Sequence, residues 1–201
     1  PLIVHVADLD SVGDIAVLDD TARQLASMFW PGPFTLVLKR RTDSPVSLLV
    51  SAGMDTIAVR VPAHPVAHAL IKQFGKPLAA PSANLSGRIS PTRADHIEPA
   101  LIDKVAVVLD GGACANGLES TIVRIHNGNI ELLRPGSVTP KDIRQSTGLN
   151  VTLAPPTDNP SAPGQLKSHY APRAALRLNA SAPRPGEAFL AFGEAADAPL
   201  G

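Results

Sequence analysis

Short apolar runs that end at proline or glycine constrain the fold of this chain more than any other feature. The chain has 20 prolines and 15 glycines among its 201 residues. Between them, β-branched runs typical of strands alternate with amphipathic windows typical of helices. Several strand-like runs carry proline at an end and lack long crossover helices, which favours a mixed sheet over a regular parallel one. We therefore predict an α/β (α+β) domain over residues 1–153, with a twisted mixed sheet flanked by helices.

The apolar periodicity sets the predicted elements. Strands are predicted over 2–6, 34–39, 56–61, 77–80, 105–110, 120–126 and 129–133. Helices are predicted over 20–29, 65–74, 92–101 and 140–146, the first of them capped by Asp20 or Thr21. Asn127-Gly128 is a strong turn signal, so the last two strands are expected to form a hairpin.

The composition changes at Ala154, which divides the chain. Residues 154–173 are rich in proline and have no apolar period, as is typical of a semi-rigid linker. Strand-like runs over 175–178 and 188–192 then indicate the start of a second small α/β domain over 174–201. The chain opens in a strand without an initiator Met, so we expect a fragment truncated at both ends.

Composition excludes several classes of function. Eighteen basic and eighteen acidic residues cancel, so the whole chain does not bind nucleic acid by bulk charge. The single cysteine, Cys114, cannot form an internal disulfide, and no metal-type Cys/His spacing is present. Standard dinucleotide and P-loop motifs are absent. With no signal peptide and no membrane-spanning apolar run, a cytoplasmic location without a membrane partner is expected.

A loop of small polar residues could hold an anion. Residues 79–87 read Ala-Ala-Pro-Ser-Ala-Asn-Leu-Ser-Gly, and Ser90 follows. Hydroxyl, amide and backbone N–H groups in such a loop can cradle phosphate. The same composition is typical of an ordinary turn, and spacing alone favours the turn.

Arginines at strand ends form a second group of candidates. Thr56 and Arg60 share one face of a predicted strand. An arginine there can bind a carboxylate through two hydrogen bonds, or lie in solvent or an ion pair. The turn 117–121 (Gly-Leu-Glu-Ser-Thr) and the segment 134–136 (Arg-Pro-Gly) are further candidates, each weak by itself.

In combination, these motifs resemble those of the YrdC-like family of threonylcarbamoyl-AMP synthases. The chain carries, in order, Trp30-Pro31-Gly32-Pro33 with Thr35, then Arg60-Val61-Pro62, 80–87, 117–121 and 134–136. The resemblance runs from Pro1 to about Gly148. The segment 162–172, which contains His169-Tyr170-Ala171-Pro172, is similar to the linker of the long, two-domain form.

The resemblance implies an activity and a set of binding residues. Enzymes of this family join L-threonine, bicarbonate and ATP, with Mg²⁺, into threonylcarbamoyl-AMP and pyrophosphate. A transfer machinery then makes N6-threonylcarbamoyladenosine at position 37 of tRNA. The implied site is a concave basic groove in which threonine contacts His5, Arg60, Ala80 and Ser120. The implied ATP contacts are Thr56, Ser82, Asn84, Ser90, Arg134 and, from the linker, Tyr170.

The remaining implications concern catalysis. No covalent nucleophile is implied, so catalysis would depend on positioning and electrostatics. Asn84 is expected near the phosphates or their Mg²⁺, but no side chain is assigned as a metal ligand. Glu119 is interpreted as a structural ion pair or turn carboxylate, outside the site, and Trp30 as a packing residue.

The chain also departs from the family pattern. A Thr-x-Thr-x-Tyr-Gly-Leu-like strand and a Lys-x-Arg pair that normally precede Pro1 are absent from this sequence. Loss of two phosphate-site cations costs about 1.5–3 kcal/mol for each charge-assisted bond. We therefore expect this chain, as given, to be weakly active or inactive.

Three other interpretations remain open. A carbamoyl-transfer domain of hydrogenase maturation would carry zinc-finger and acylphosphatase-like regions, which this sequence lacks. A non-catalytic module that binds double-stranded RNA or tRNA is disfavoured by neutral charge and by an aromatic content of 3%. A fragment without surviving function is the third.

Overall fold

The computed structural model describes residues 1–155, 157, 160–165 and 174–190. The chain divides into two compact units, Pro1–Ala171 and Pro172–Gly201. In the described part of the second unit, the clearest tertiary contact is the ion pair between Arg177 and Glu187, which together with two hydrogen bonds closes a loop. Among the described residues, no helix has both the length and the apolar composition needed to span a bilayer.

The first unit is built on one mixed sheet. Its eight strands are β1 Ile3–His5, β2 Ala16–Val17, β3 Phe34–Arg40, β4 Thr56–Arg60, β5 Leu78–Ala80, β6 Thr121–His126, β7 Asn129–Arg134 and β8 Val151–Leu153. Seven of them lie in the order β5-β1-β4-β3-β6-β7-β8, and β2 pairs with β3. The pairs β1/β4, β3/β6 and β7/β8 are parallel, whereas the remaining pairs are antiparallel. The predicted mixed sheet is confirmed.

Four α-helices accompany the sheet, and their ends follow from local chemistry. They are α1 Asp20–Phe29, α2 Pro65–Phe74, α3 Pro99–Ile102 and α4 Pro140–Thr147. The cap of α1 is Asp19, whose carboxylate accepts a hydrogen bond from the Ala22 N–H at 2.7 Å, so the predicted cap at Asp20 or Thr21 was wrong by one residue or two. A reciprocal capping box between Thr139 and Asp142 starts α4, and Gly148 ends it in the left-handed conformation.

The core lies on both faces of the sheet because its central strands are apolar along most of their length. Successive side chains of these strands point to opposite faces. Leu36 and Leu38 of β3 join a large cluster that includes Leu25 of α1, while Val37 joins a smaller cluster on the other face. The smaller cluster includes Ala162, which is fully buried although it lies in the segment predicted as a linker. The large cluster therefore supports the fold, and the thinner face leaves room for a cavity.

Four predicted elements differ from the structure where it describes them. Residues 105–110 form no strand, and Val107 is 69% exposed. The helix predicted over 92–101 is a short 3-10 turn at Ala94–His96 followed by α3. The run 175–178 is not a strand, and the described part of 188–192 is not one either. A β-branched run supplies strand propensity only, because its backbone N–H and C=O groups still need a partner strand in register.

Truncation of the large cluster should destabilise the fold measurably. Leu25 is fully buried in α1, so Leu25→Ala is expected to lower the free energy of unfolding by about 2–5 kcal/mol. Met28, three residues further along the same helix, is 58% exposed, and Met28→Ala should change it by less than about 0.5 kcal/mol. Urea denaturation of both variants measures the difference, and equal effects would contradict the packing described for α1.

Candidate functional site

The strand directions gather several polar side chains at one end of the sheet. In the parallel pair β1/β4, His5 lies directly beside Arg60, the last residue of each strand. Because β3 is antiparallel to β4 and parallel to β6, both β3 and β6 begin at this same end. Arg134 ends β7 here, paired with Ile122. Sequence-distant residues thus meet at one end of five neighbouring strands, β1, β4, β3, β6 and β7.

A buried network holds Arg134 in place. Its Nε and one terminal nitrogen donate to the Ser120 carbonyl oxygen at 3.0 and 2.9 Å, and that nitrogen also donates to the Ser120 hydroxyl at 3.0 Å. The Ser120 hydroxyl lies 2.8 Å from the Thr35 hydroxyl, which is fully buried on β3. Arg134 is only 7% exposed, so its charged group needs such partners, and the network fixes β3, β6 and β7 relative to one another.

A glycine makes room for the turn that contributes to this network. A Cβ at Gly136 would lie 2.5 Å from the Glu119 carbonyl oxygen and 2.5 Å from the Thr121 nitrogen. Any side chain at position 136 would therefore displace the turn that carries Glu119 and Ser120. The Arg-Pro-Gly and Gly-Leu-Glu-Ser-Thr motifs are thus in direct contact.

Arg60 is oriented by the Trp-Pro-Gly-Pro turn. Its Nε donates to the Gly32 carbonyl oxygen at 2.9 Å, and the Gly32 N–H donates to the Val61 carbonyl oxygen at 2.9 Å. Trp30 donates from Nε1 to the Phe34 carbonyl oxygen at 2.6 Å and packs against the large cluster, which agrees with its interpretation as a packing residue. The turn holds the Arg60 guanidinium by one edge, so its terminal nitrogens are the atoms left to contact a ligand.

One cavity of about 490 Å³ opens at this end of the sheet. Seven of the ten predicted binding residues line it, namely His5, Arg60, Ala80, Ser82, Asn84, Ser120 and Arg134. Ser86, Gly87 and Glu119 from the predicted motifs line it too, as do Pro160, Ala162, Pro163 and Gly164. The predicted linker thus supplies one wall of the cavity.

Three predicted binding residues are not in the cavity wall. Thr56 lies at the opposite end of β4 from Arg60, about 13 Å away at ~3.3 Å per residue. Ser90 is not among the lining residues, and its hydroxyl donates to Glu119, which does line the cavity. Tyr170 lies outside the described residues.

The loop after β5 is held open by its own hydrogen bonds. The Asn84 amide donates to the carbonyl oxygens of Leu85 at 2.8 Å and Arg88 at 3.1 Å, and its oxygen accepts from the Ser82 hydroxyl. Ala83 has a φ of 57° and Gly87 a φ of 78°, both left-handed. Asn84 therefore shapes the loop, while the Ser82 oxygen keeps its acceptor capacity toward the cavity.

The basic side chains that line the cavity differ in their charge at pH 7. Burial, together with the neighbouring Arg60 guanidinium, lowers the pKa of His5 from 6.5 to about 4, so the imidazole is neutral at pH 7. Its Nδ1 is buried without a hydrogen-bond partner among the described residues. Burial and the charge of Arg134 lower the pKa of Arg60, which nevertheless stays cationic. Two guanidinium groups and a neutral imidazole suit a ligand with more than one anionic group.

Glu119 is the residue that the motif interpretation left outside the site. Its Oε1 accepts a hydrogen bond from the Ser90 hydroxyl at 2.7 Å, and its side chain lines the cavity. It is the only carboxylate among the described residues of the wall. The sequence signal that could have placed Glu119 in the site is its position within the 117–121 motif, next to Ser120. No described group of three or more His, Cys, Asp or Glu residues could hold a metal by itself.

Family models match most of the chain. The model of the Sua5/YciO/YrdC family, described as telomere recombination, matches residues 1–136. A second model, described as the C-terminal domain of threonylcarbamoyl-AMP synthase, matches residues 138–197.

Curated relatives and a solved structure agree with these matches. A threonylcarbamoyl-AMP synthase of Bacillus subtilis is 41% identical over 187 residues, which cover 91% of this chain and 54% of the relative. One from Schizosaccharomyces pombe is 39% identical over 212 residues, with 89% and 51% covered. The crystal structure of Pyrococcus abyssi Sua5 complexed with L-threonine superimposes with a TM-score of 0.80 at 39% identity, covering 87% of this chain and 52% of that one. The chain therefore spans about half the length of the curated relatives it matches.

The depressed pKa of His5 should appear in the pH dependence of stability. Unfolded His5 takes up a proton as pH falls below about 6.5, whereas the folded imidazole does so only near its pKa of about 4. The free energy of unfolding should therefore fall by on the order of 3 kcal/mol between these pH values, at about 1.4 kcal/mol per pKa unit.

Urea denaturation from pH 7 to pH 4 measures this slope, and His5→Asn should remove it. NMR of the imidazole is the direct check, because the His5 ring should stay neutral at pH 6. A His5 ring that titrates near 6.5 in the folded chain would contradict the burial of this group.

Proposed function

The chain belongs to the Sua5/YciO/YrdC family, and we propose that it supplies the substrate-binding cavity of a threonylcarbamoyl-AMP synthase. The observation that carries this proposal is the single cavity lined by seven of the ten residues that the family resemblance predicted. The name of the curated relatives and the L-threonine in the solved relative support it. The reaction would join L-threonine, bicarbonate and ATP into threonylcarbamoyl-AMP and pyrophosphate.

The threonine half of the proposed site centres on Arg60. A guanidinium held through Nε keeps its other edge for a bidentate contact with the substrate carboxylate. Neutral His5 lies beside it in the cavity wall, where its imidazole would contact the amino acid without adding charge. The Ser120 hydroxyl and the backbone at Ala80 complete the proposed contacts. A neutral imidazole adds no positive charge beside the substrate amine, which must be unprotonated to react.

The nucleotide half of the proposed site centres on Arg134 and the loop after β5. The buried guanidinium places fixed positive charge at the cavity wall. The left-handed turn at Gly87 allows a triphosphate to approach the backbone closely. The Ser82 hydroxyl would contact a phosphate oxygen by exchanging its hydrogen bond to Asn84 for one to the ligand. Mg²⁺ bound to ATP would neutralise charge on the phosphates. Thr56 and Ser90 are not used as direct contacts in this proposal, and Tyr170 stays a prediction.

The proposed chemistry needs no covalent intermediate with the protein. The threonine amine attacks the carbon of bicarbonate, a C–N bond forms, and water leaves to give the N-carboxylate. An oxygen of this N-carboxylate then attacks the α-phosphorus of ATP, and pyrophosphate leaves with the electron pair of the broken P–O bond. The cavity would contribute by holding the three reactants in contact and by placing positive charge near the phosphorus.

The product determines the proposed partners. Threonylcarbamoyl-AMP is a mixed anhydride that can acylate an amine, so we propose a transfer machinery that passes the group to adenosine 37 of tRNA. ATP and tRNA as reactants make the cytoplasm the expected location.

The test uses two proteins. One is this chain, and the other is a hybrid, the full-length Bacillus subtilis relative with its matching residues replaced by this chain. The hybrid should release pyrophosphate only when L-threonine, bicarbonate and ATP are all present. Arg60→Lys should raise the KM for threonine about 10- to 100-fold, because a lost charge-assisted bond costs about 1.5–3 kcal/mol, with little change in the KM for ATP.

Arg41→Lys is the matched control, since Arg41 is exposed and pairs with Asp43 at the surface. Pyrophosphate release that does not depend on threonine would overturn the proposed function. An equal rise in both KM values would remove Arg60 from the threonine half.

A further inference from the structure

Glu119 is a carboxylate in a cavity otherwise suited to anions. It lines the wall together with Arg60, Arg134 and the hydroxyl-rich loop. A negative side chain opposes the binding of a bare triphosphate, at a site where two cations favour it. This opposition disappears if a divalent cation lies between the carboxylate and the phosphates.

The hydrogen bond from Ser90 fixes the geometry of this carboxylate. The Ser90 hydroxyl donates to Oε1 at 2.7 Å across 29 residues of sequence. Oε2 accepts no hydrogen bond from the described residues. One oxygen is thus anchored to Ser90, and the other is the atom with capacity left for a ligand.

The donor set matches the way proteins bind Mg²⁺ with nucleotides. Mg²⁺ is usually held by one or two carboxylates together with substrate phosphates and water, and not by a cage of protein ligands. A single anchored carboxylate facing an anion-binding cavity meets that requirement. The absence of a described group of three His, Cys, Asp or Glu residues is compatible with such a site.

We propose that Glu119 contacts the divalent cation carried by the nucleotide, and that Ser90 is a positioning residue that orients Glu119. The proposal rests on the proposed function insofar as the ligand is ATP. The family resemblance implied an ATP contact for Ser90, and Glu119 was interpreted as lying outside the site. Glu119 contacts the cation, and Ser90 acts only through Glu119.

The test is isothermal titration of this chain with ATP, in the presence and absence of Mg²⁺. In the wild-type chain, Mg²⁺ should tighten ATP binding at least about tenfold, which corresponds to about 1.4 kcal/mol. Glu119→Gln keeps the shape and the acceptor for Ser90 but removes the charge. It should reduce the Mg²⁺-dependent gain to less than about twofold and leave binding of metal-free ATP equal or tighter. A purely structural role would weaken both kinds of binding together.

Ser90→Ala tests the positioning role. Alone, it should reduce the Mg²⁺-dependent gain by about two- to fivefold, and in the Glu119→Gln background it should have no further effect. Glu98→Gln is the matched control, because Glu98 is exposed at the start of α3 and outside the cavity wall. The same titrations are repeated on the hybrid. Mn²⁺ then replaces Mg²⁺, and its paramagnetic signal reports cation binding independently of turnover.

The outcomes separate the two proposals. An equal Mg²⁺-dependent gain in the wild type and Glu119→Gln overturns the metal contact, and additive effects of the two substitutions overturn the positioning role. If Mg²⁺-dependent ATP binding requires Glu119 but the hybrid releases no threonine-dependent pyrophosphate, the proposed function alone is overturned. If neither the wild-type chain nor the hybrid binds ATP, both proposals are overturned.

Discussion

The site depends on the register of β3 with its two neighbours in the sheet order. β3 is antiparallel to β4 and parallel to β6, so the start of β3 lies beside the end of β4 and the start of β6. A uniformly parallel sheet would place the end of β4 beside the end of β3, away from its start. The mixed directions are therefore the reason that Arg60, Thr35 and Ser120 meet.

Burial of charge at this end of the sheet is compensated by backbone oxygens. Arg60 donates to the Gly32 carbonyl and Arg134 to the Ser120 carbonyl, so each guanidinium is held without a carboxylate in those bonds. A carboxylate partner would neutralise the positive charge that an anionic substrate needs. At Arg60 the carbonyl partner satisfies one donor and leaves that charge in place, which suits a binding site more than a structural ion pair.

The segment 160–165 shows how a stretch without periodicity can still belong to the core. Gln165 accepts hydrogen bonds from the N–H groups of Ser161 and Ala162 at 2.7 and 2.9 Å, which curls the segment. The curl places Ala162 in the smaller cluster and the neighbouring prolines along the cavity wall. An apolar pattern could not predict this, because a single small residue makes the contact.

The sequence by itself determined the local elements and the motifs. Proline, glycine and β-branched runs located most of the strands and the helices α1, α2 and α4, because those signals act over a few neighbouring residues. The family resemblance carried by the motifs located seven residues of the cavity wall. Tertiary structure decided the rest. Residues 105–110 have strand propensity but no partner strand among the described residues, and Thr56 shares a face with Arg60 but lies a strand's length away. Ser90 contacts Glu119 and does not line the cavity. Each of these depends on which distant segment occupies the neighbouring space, and sequence spacing carries no information about that.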